Sequence, residues 1–285
     1  MGSLASRSTI LAPALGLALG AALAIAGCGP RVDGGDDDDD GTADAATGGD
    51  RPPPQENAAV FAHTATELFR VDPATFAVTR VAPFTGDAAG DSMTDIAIDS
   101  DGQMIGISYT RVYRIDAQTA VTERAGTGTL PQMFNGLSFV PSLLAFGVDG
   151  PDILIGSRNT DGKIFQVDPQ TGGVTEIGDM GAGYTSSGDI VAVRDFGIVA
   201  TTGAAIGPDT LVRLAPTTFA ATPIGSSTGW DDLWGIGFWK GQVFGFAASG
   251  AFVLIDTTTG AGTLVEDSGR AWWGAAVTTA APVIP

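Results

Sequence analysis

The chain has 285 residues, of which 44% are hydrophobic, 16% are charged and 41 are glycine, a composition typical of a globular β-rich protein and not of a disordered or long-helical one. Its formal net charge is −18, and the part from residue 58 onward, with 11 basic and 23 acidic residues, retains −12. Because phosphate binding requires a basic surface, nucleic acid is excluded as an expected partner.

The first 27 residues have the layout of a secretory signal peptide. Arg7 supplies a positive charge, and an apolar run of small and aliphatic residues follows from Ile10 to Ala26. The run is short of the ~20 apolar residues that span a bilayer comfortably. Residues 1–27 are therefore predicted to direct export and to be removed.

The apolar run ends in Ile25-Ala26-Gly27-Cys28, which resembles a bacterial lipobox. The resemblance implies that Cys28 is lipidated and becomes the mature N-terminus, where several acyl chains would anchor the protein stably. Cys28 is the only cysteine of the chain and cannot form an internal disulfide, so lipidation accounts for it. The alternative is an uncleaved anchor helix followed by a chance cysteine.

Residues 28–57 are predicted to be the lipidated cysteine and a disordered acidic tether, because almost no large apolar side chain occurs there. Gly29 follows Cys28 at the position where an aspartate would retain a lipoprotein in the inner membrane. The sequence therefore predicts a cell-envelope protein, held in the outer membrane through the lipid at Cys28 and facing the periplasm or the cell surface.

One pattern recurs five times from residue 66 to residue 266. The copies read TELFRVDPATFAVTRVA, RVYRIDAQTAVTERAG, KIFQVDPQTGGVTEIG, TLVRLAPTTFAATPIG and AFVLIDTTTGAGTLVE. Apolar and polar residues alternate on both sides of a short turn, which indicates a β-hairpin. An aspartate can close such a turn with its side chain, and glycine supplies positive φ. The turns start at Asp72, Asp116, Asp168, Ala215 and Asp256, a spacing of 44, 52, 47 and 41 residues that is typical of propeller blades.

Another pair of short apolar strands precedes each hairpin except the first, which has a single strand before it. The missing strand is found at the other end of the chain, where WWGAAVT (272–278) aligns with the first strand of every other unit. Residues 58–285 are therefore predicted to form an all-β, five-bladed β-propeller with four antiparallel strands per blade. The C-terminal strand closes the ring by joining the N-terminal blade.

These repeats resemble those of the β-propeller superfamily, with its PQQ-like and WD40-like members. Asp168 to Gly172, DPQTG, are similar to the A-x-D-x-x-T-G-x-x-x-W repeat of PQQ-type propellers, but Ile177 stands near the place of the final tryptophan. A quinone cofactor is therefore not expected. The resemblance implies that the first strand of each blade lines a central channel, and that the loops leading into these strands crowd one mouth of it.

The residues available for catalysis are few. His63 is the only histidine, there is no second cysteine for a zinc site, and no G-x-S-x-G motif occurs. We therefore predict no catalytic residue and expect no cofactor, with calcium as the one possible exception.

The loops leading into the first strands contain the candidate ligand-binding residues. Asp95, Asn135 and Asp189 offer oxygens for a calcium ion or for sugar hydroxyls, and Trp234 and Trp273 offer rings for stacking. The alternative is structural, because an aspartate at the start of a strand can cap a turn and a tryptophan can fill the wedge between blades.

The sequence thus predicts a non-enzymatic, lipid-anchored, extracytoplasmic propeller that binds a protein or a glycan. The alternative is a calcium-assisted hydrolase, lyase or lactonase with its site at the channel mouth, and a third reading is a purely structural surface protein. A channel plugged by Met93, Phe134 and Leu233 would favour the binding module.

Lipidation is tested by the Cys28→Ser substitution. No other thiol competes for the acyl chains, so the variant should lose acyl labelling and leave the membrane fraction of a host that has lipoprotein machinery. A variant that stays membrane-bound and keeps the mass of the unprocessed chain would instead identify residues 1–27 as a plain anchor.

Overall fold

The computed structural model describes residues 59–131, 134–203 and 207–284. The predicted signal peptide, Cys28 and the tether lie outside the described residues, and their assignments stay predictions. Within the described ranges no helix has the length and apolar character needed to cross a membrane.

The fold is a five-bladed β-propeller, as predicted. Each blade contains a four-stranded antiparallel sheet, and blade 2 gains the short β4, which pairs in parallel with its outermost strand. In chain order the elements are β1 Val60–His63, β2 Glu67–Val71 and β3 Val78–Pro83 in blade 1; β4 Thr85–Gly86, β5 Asp95–Ile98, β6 Met104–Ile107, β7 Val112–Ile115 and β8 Val121–Arg124 in blade 2; β9 Phe134–Val140, helix α1 Ser142–Phe146, β10 Ile153–Arg158, β11 Lys163–Val167 and β12 Val174–Asp179 in blade 3; β13 Ser186–Val193, β14 Gly197–Thr202, β15 Thr210–Leu214 and β16 Ala221–Pro223 in blade 4; β17 Leu233–Trp239, β18 Gln242–Ala247, β19 Ala251–Asp256 and β20 Gly262–Asp267 in blade 5; and β21 Gly274–Ala276, which returns to blade 1.

The ring closes through β21, which pairs antiparallel with β1 so that Phe61 lies opposite Ala276 and His63 lies opposite Gly274. The innermost strands β21, β5, β9, β13 and β17 contact one another in this cyclic order around the axis. The predicted joining of the two chain ends in one blade is therefore confirmed, although β21 is shorter than the predicted segment 272–278.

The innermost strands approach one another so closely that glycine is required at their contacts. A Cβ atom on Gly188 would lie 2.3 Å from the Cα of Trp234, and one on Gly235 would lie 2.5 Å from the carbonyl carbon of Gly274. Both distances are shorter than real contacts allow. The glycines near the start of the innermost strands thus set the narrow radius of the ring.

The repeated turns have the predicted aspartate geometry. In the third copy, the amides of Gln170 and Thr171 donate hydrogen bonds to Asp168 Oδ1, at 2.7 and 3.2 Å. These backbone amides lower the pKa of Asp168, because they favour its ionised form. The same pair of bonds forms at the other three aspartate turns, which begin at Asp72, Asp116 and Asp256.

Glycine supplies the positive φ of these turns in only two copies, at Gly172 and Gly260. The corresponding residues elsewhere are Phe76, Ala120 and Phe219, with φ of 61°, 55° and 59°. Left-handed backbone is unfavourable for such residues by about 1–2 kcal/mol. Phe219 and Ala120 are fully buried and Phe76 packs on two phenylalanine rings, so side-chain burial offsets the strain.

The hydrophobic core is divided among the wedges between neighbouring blades. Met93, Phe134 and Leu233 are fully buried, but they belong to three separate clusters. They therefore do not plug the channel together. Trp272 fills one wedge, with its ring against Phe69 and its Nε1 donating to the carbonyl of Gly250 at 3.2 Å.

The C-terminal tail after β21 crosses the end of the ring opposite the strand starts. Thr278 Oγ1 donates to the carbonyl of Asp99 in blade 2 at 2.7 Å, and Thr279 Oγ1 donates to Asp152 in blade 3. The amide of Arg194 in blade 4 then donates to the carbonyl of Thr279, and that of Lys240 in blade 5 to Pro282, each at 2.8 Å. The tail thus ties four blades together, a role that the sequence did not indicate.

Deletion of residues 271–285 should abolish cooperative thermal unfolding or cause aggregation. It removes β21 and the tail, which leaves β1 with an unpaired edge and opens the ring. Deletion of residues 284–285 is the matched control, since Ile284 is 75% exposed. If the longer deletion melted as sharply as the control and at the same temperature, closure by β21 would be unnecessary for the fold.

Candidate functional site

A cavity of about 100 Å³ opens on the axis at the starts of the innermost strands. We call it the mouth cavity. Every blade contributes to the wall of this cavity through uncharged residues that lie on or next to its innermost strand. Two further lining residues lie in the turns between the second and third strands of blades 2 and 3. The lining consists of Thr94, Tyr109, Asn135, Asn159, Ser187, Gly188, Trp234 and Trp273.

Three aromatic rings form one side of the mouth cavity. Trp234 and Trp273 meet edge to face, with ring centroids 5.8 Å apart and planes at 80°. Tyr109 meets Trp273 in the same manner at 6.4 Å and 69°. Tyr109 is 44% exposed and both tryptophans are partly exposed. Nearly perpendicular rings present both faces and edges to a ligand.

Asn135 supplies the polar side. Its Nδ2 donates to the carbonyl of Ser187 at 3.3 Å, which holds the side chain against blade 4. Its Oδ1 is buried and has no hydrogen-bond partner among the described residues. A buried acceptor without a partner costs about 1–3 kcal/mol, so a ligand that donates to Oδ1 would gain from doing so.

Asp95 and Asp189, the two predicted acidic ligands, do not line this cavity. Both are fully buried, each one residue further along its strand than the lining residues Thr94 and Gly188. Of the five predicted site residues, Asn135, Trp234 and Trp273 are therefore brought together at the cavity, and the two aspartates lie beneath it.

The two aspartates bond instead to the backbone of neighbouring blades. Asp95 Oδ1 accepts from the amide of Ile96 at 2.8 Å, and its Oδ2 accepts from Leu137 in blade 3 at 2.6 Å. Asp189 likewise accepts from Ile190 and from Ile236 in blade 5, both at 2.6 Å. These contacts match the structural alternative for aspartates at strand starts. Calcium binding by Asp95, Asn135 and Asp189 stays a prediction.

His63 completes the layer beneath the cavity, which we call the axial layer (His63, Asp95 and Asp189). Its Nδ1 donates to the carbonyl of Thr64 at 2.8 Å, so Nε2 carries the lone pair. Nε2 lies 3.9 Å from Asp95 Oδ1 and makes no hydrogen bond within the described part of the chain. Burial lowers the pKa of His63 to about 4, and the ring is neutral at pH 7.

Burial raises the pKa of both axial aspartates well above the usual value. The negative charge of Asp189 raises the pKa of Asp95 further, and a hydrogen bond between the two carboxyl groups raises the pKa of Asp95 and lowers that of Asp189. Both carboxyl groups therefore hold their protons more tightly than an exposed aspartate does.

The predicted site omits five of the eight lining residues and the neighbouring Asp209. Tyr109 and Asn159 lie in the turns between the second and third strands of blades 2 and 3, which open on the same face as the starts of the first strands. In an antiparallel sheet, successive turns lie at alternate ends of the sheet, so the predicted strand order already places Tyr109 and Asn159 at the same end as the starts of the first strands. Asp209, which accepts from Ser187 Oγ at 2.5 Å and from the amide of Leu233 at 2.7 Å, carries no such signal.

Among the described residues, no group of three or more histidine, cysteine, aspartate or glutamate side chains is placed to hold a metal ion.

Comparison with known proteins supports the fold. No protein-family model matches the sequence, and no curated protein matches it in a sequence comparison. In structure, the chain is similar over 79% of its length to 99% of a chain in a nidogen/laminin complex, with a TM-score of 0.50 and 10% identity. At this identity the likeness shows the propeller fold alone.

Two bacterial structures are similar at lower TM-scores. A protein of unknown function from Bacteroides caccae matches 73% of the chain and 72% of its own length, with a TM-score of 0.41 and 11% identity. TolB from Acinetobacter baumannii matches 77% of the chain with a TM-score of 0.41 and 12% identity. The match covers 53% of the TolB chain, so the present chain spans about half the length of TolB.

Replacing Asp209 by asparagine should flatten the dependence of stability on pH. Burial raises the pKa of Asp209 to about 6, so in the folded protein it holds a proton that the unfolded chain loses near pH ~3.9. The wild-type free energy of unfolding should therefore fall, relative to the variant, by up to roughly 3 kcal/mol as pH rises from ~4 to ~6.

The measurement is urea unfolding of both proteins across this interval. The lowered pKa of His63 has the opposite effect on stability over this interval, but it is the same in both proteins and cancels when their free energies of unfolding are subtracted. The side-chain oxygen of the introduced asparagine can still accept hydrogen bonds from Ser187 and Leu233. Asp149→Asn, at an exposed loop position, is the matched control and should follow the wild type. Parallel curves for wild type and Asp209→Asn would show that Asp209 is ionised in the folded protein.

Proposed function

We propose that the protein is a non-enzymatic binding module, a lipid-anchored propeller of the cell envelope that receives part of a protein or glycan ligand in its mouth cavity. The observation that carries the proposal is the wall of this cavity. All five blades contribute to it, and its described lining consists of aromatic, amide and hydroxyl side chains with no carboxylate and no histidine.

The tail and the axial layer support a binding cavity that is open only at the mouth. Thr278 and Thr279 bond across the opposite end of the ring, and the axial layer is fully buried between the two ends. A ligand would therefore enter and leave by the mouth. Partly exposed tryptophans beside an unpartnered amide oxygen are the kind of wall that binds rings and hydroxyls.

The setting in the envelope rests on the sequence. The signal-like run, the lipobox resemblance at Cys28 and the acidic segment up to residue 57 together favour a protein exported and tethered by lipid. A propeller held in this way would present its mouth to ligands outside the cytoplasm. The propeller fold is compatible with a protein ligand as well as with a carbohydrate.

The enzymatic alternative, a calcium-assisted hydrolase, lyase or lactonase, is supported by no particular contact. General acid and base chemistry requires carboxyl groups within reach of the substrate, whereas Asp95 and Asp189 are fully buried and engaged with backbone amides. We therefore prefer the binding module.

The proposal is tested by site-specific photo-crosslinking in the native envelope. A photoreactive amino acid at Tyr109, on the rim of the mouth, should give a discrete adduct with a protein or a glycan-bearing molecule. Leu264, which is 48% exposed on the outer strand β20, is the matched control position and should not give this adduct.

The adduct at Tyr109 should disappear when Trp234→Leu is introduced, because that change removes one wall of the cavity. Trp239→Leu is the control for loss of a tryptophan, since Trp239 ends the same strand β17 far from the mouth. Identical adducts at Tyr109 and Leu264, unaffected by Trp234→Leu, would mean that the mouth is not the binding site.

A further inference from the structure

The charge beside the mouth cavity is negative, although the lining of the cavity is neutral. Beside it lies Asp209, whose Oδ2 accepts from the lining residue Ser187, and the negative charges of Asp231 and Asp232 raise the pKa of Asp209. These charges act across low-dielectric protein, which weakens them less than water would.

Two basic side chains close in sequence to lining residues are engaged with acidic partners. Arg111, two residues after Tyr109, pairs with Asp91 at 3.0 Å, and Arg158, which precedes Asn159, pairs with Asp161. No lysine or arginine lines the cavity in the described structure. An anionic ligand would therefore meet repulsion without a compensating positive charge, and a cationic ligand would be attracted.

The three rings add a second, independent attraction for a cation. Trp273 stands nearly perpendicular to both Trp234 and Tyr109, at 80° and 69°, so the rings form adjoining walls. A cation within ~6 Å of a ring centroid is attracted by the negative face of the ring, most strongly by tryptophan. A neutral sugar would gain from stacking on these rings but not from this charge.

The size and polarity of the cavity restrict the kind of cation. A cavity of about 100 Å³ suits a compact branched group. A primary ammonium group has three N–H donors and strong hydration to lose on binding, whereas the described lining offers it no carboxylate. A quaternary ammonium group has no N–H donor to satisfy.

We infer that the mouth cavity binds a quaternary ammonium group, with Trp234, Trp273 and Tyr109 as its aromatic walls and the acidic groups beside it, Asp209, Asp231 and Asp232, as the source of charge attraction. This inference rests on the proposed function, because it names the ligand class of the same site. The group can belong to choline, to a phosphocholine headgroup or to a trimethylated lysine side chain of a protein.

The test compares choline with 3,3-dimethylbutan-1-ol, its uncharged analogue of the same shape. Tryptophan fluorescence of the full lipidated protein is titrated in a polyoxyethylene detergent, which carries neither choline nor sugar. Choline should bind about tenfold more tightly than the alcohol or better. Trp273→Leu should abolish choline binding, and the matched control Trp239→Leu should preserve it.

Two further probes identify the source of the group. Phosphocholine tests the headgroup, and a peptide with trimethyl-lysine, compared with the same peptide unmethylated, tests the protein side chain. The methylated peptide should bind more tightly than the unmethylated one, because the unmethylated ammonium must lose hydration that this cavity does not replace. Equal binding of the two peptides would overturn the preference for quaternary ammonium.

The outcomes separate this inference from the proposed function. If the alcohol bound as tightly as choline, or if only a glycan or another protein group bound and Trp273→Leu removed that binding, the quaternary ammonium inference would be wrong and the binding module would stand. If no probe bound and the crosslinks at Tyr109 and Leu264 were the same, both would be wrong.

Discussion

The narrow radius of the ring is the constraint on which the rest of the structure depends. Five innermost strands meet around the axis at distances that leave no space for a Cβ atom at Gly188 or Gly235. Each innermost strand also has an edge facing the axis, where backbone amides have no neighbouring strand to bond with. The carboxylates of Asp95 and Asp189 accept hydrogen bonds from two such amides, Leu137 and Ile236. Glycine brings the strands together, and buried aspartate satisfies the donors that their approach would leave unpaired.

Burying two carboxyl groups and a histidine in one layer is unfavourable unless their charges are reduced and their hydrogen bonds are made. Burial lowers the pKa of His63 and raises the pKa of both aspartates, so each group shifts toward its neutral form, and the aspartates accept hydrogen bonds from backbone amides. The layer lies directly beneath the lining residues Thr94 and Gly188.

The two ends of the propeller differ. At one end the tail bonds through Thr278 and Thr279 to successive blades, and at the other end loops and turns leave the mouth cavity open between Trp234, Trp273 and Asn135. The wall of the mouth cavity is assembled from five blades, so its geometry depends on closure of the ring by β21 and is lost with it.

The sequence by itself determined the number of blades, the four strands of each, the joining of β1 with the C-terminal strand and the aspartate turns, because each follows from a local residue pattern that recurs along the chain. It also placed Asn135, Trp234 and Trp273 at the mouth. Only the tertiary structure decided that Asp95 and Asp189 turn away from the cavity to the backbone of another blade, that Tyr109 and Asn159 join its wall, and that the tail bonds to four blades at the far end. These outcomes depend on distances across the axis, and those distances are set by how closely the five innermost strands pack, which no local pattern encodes.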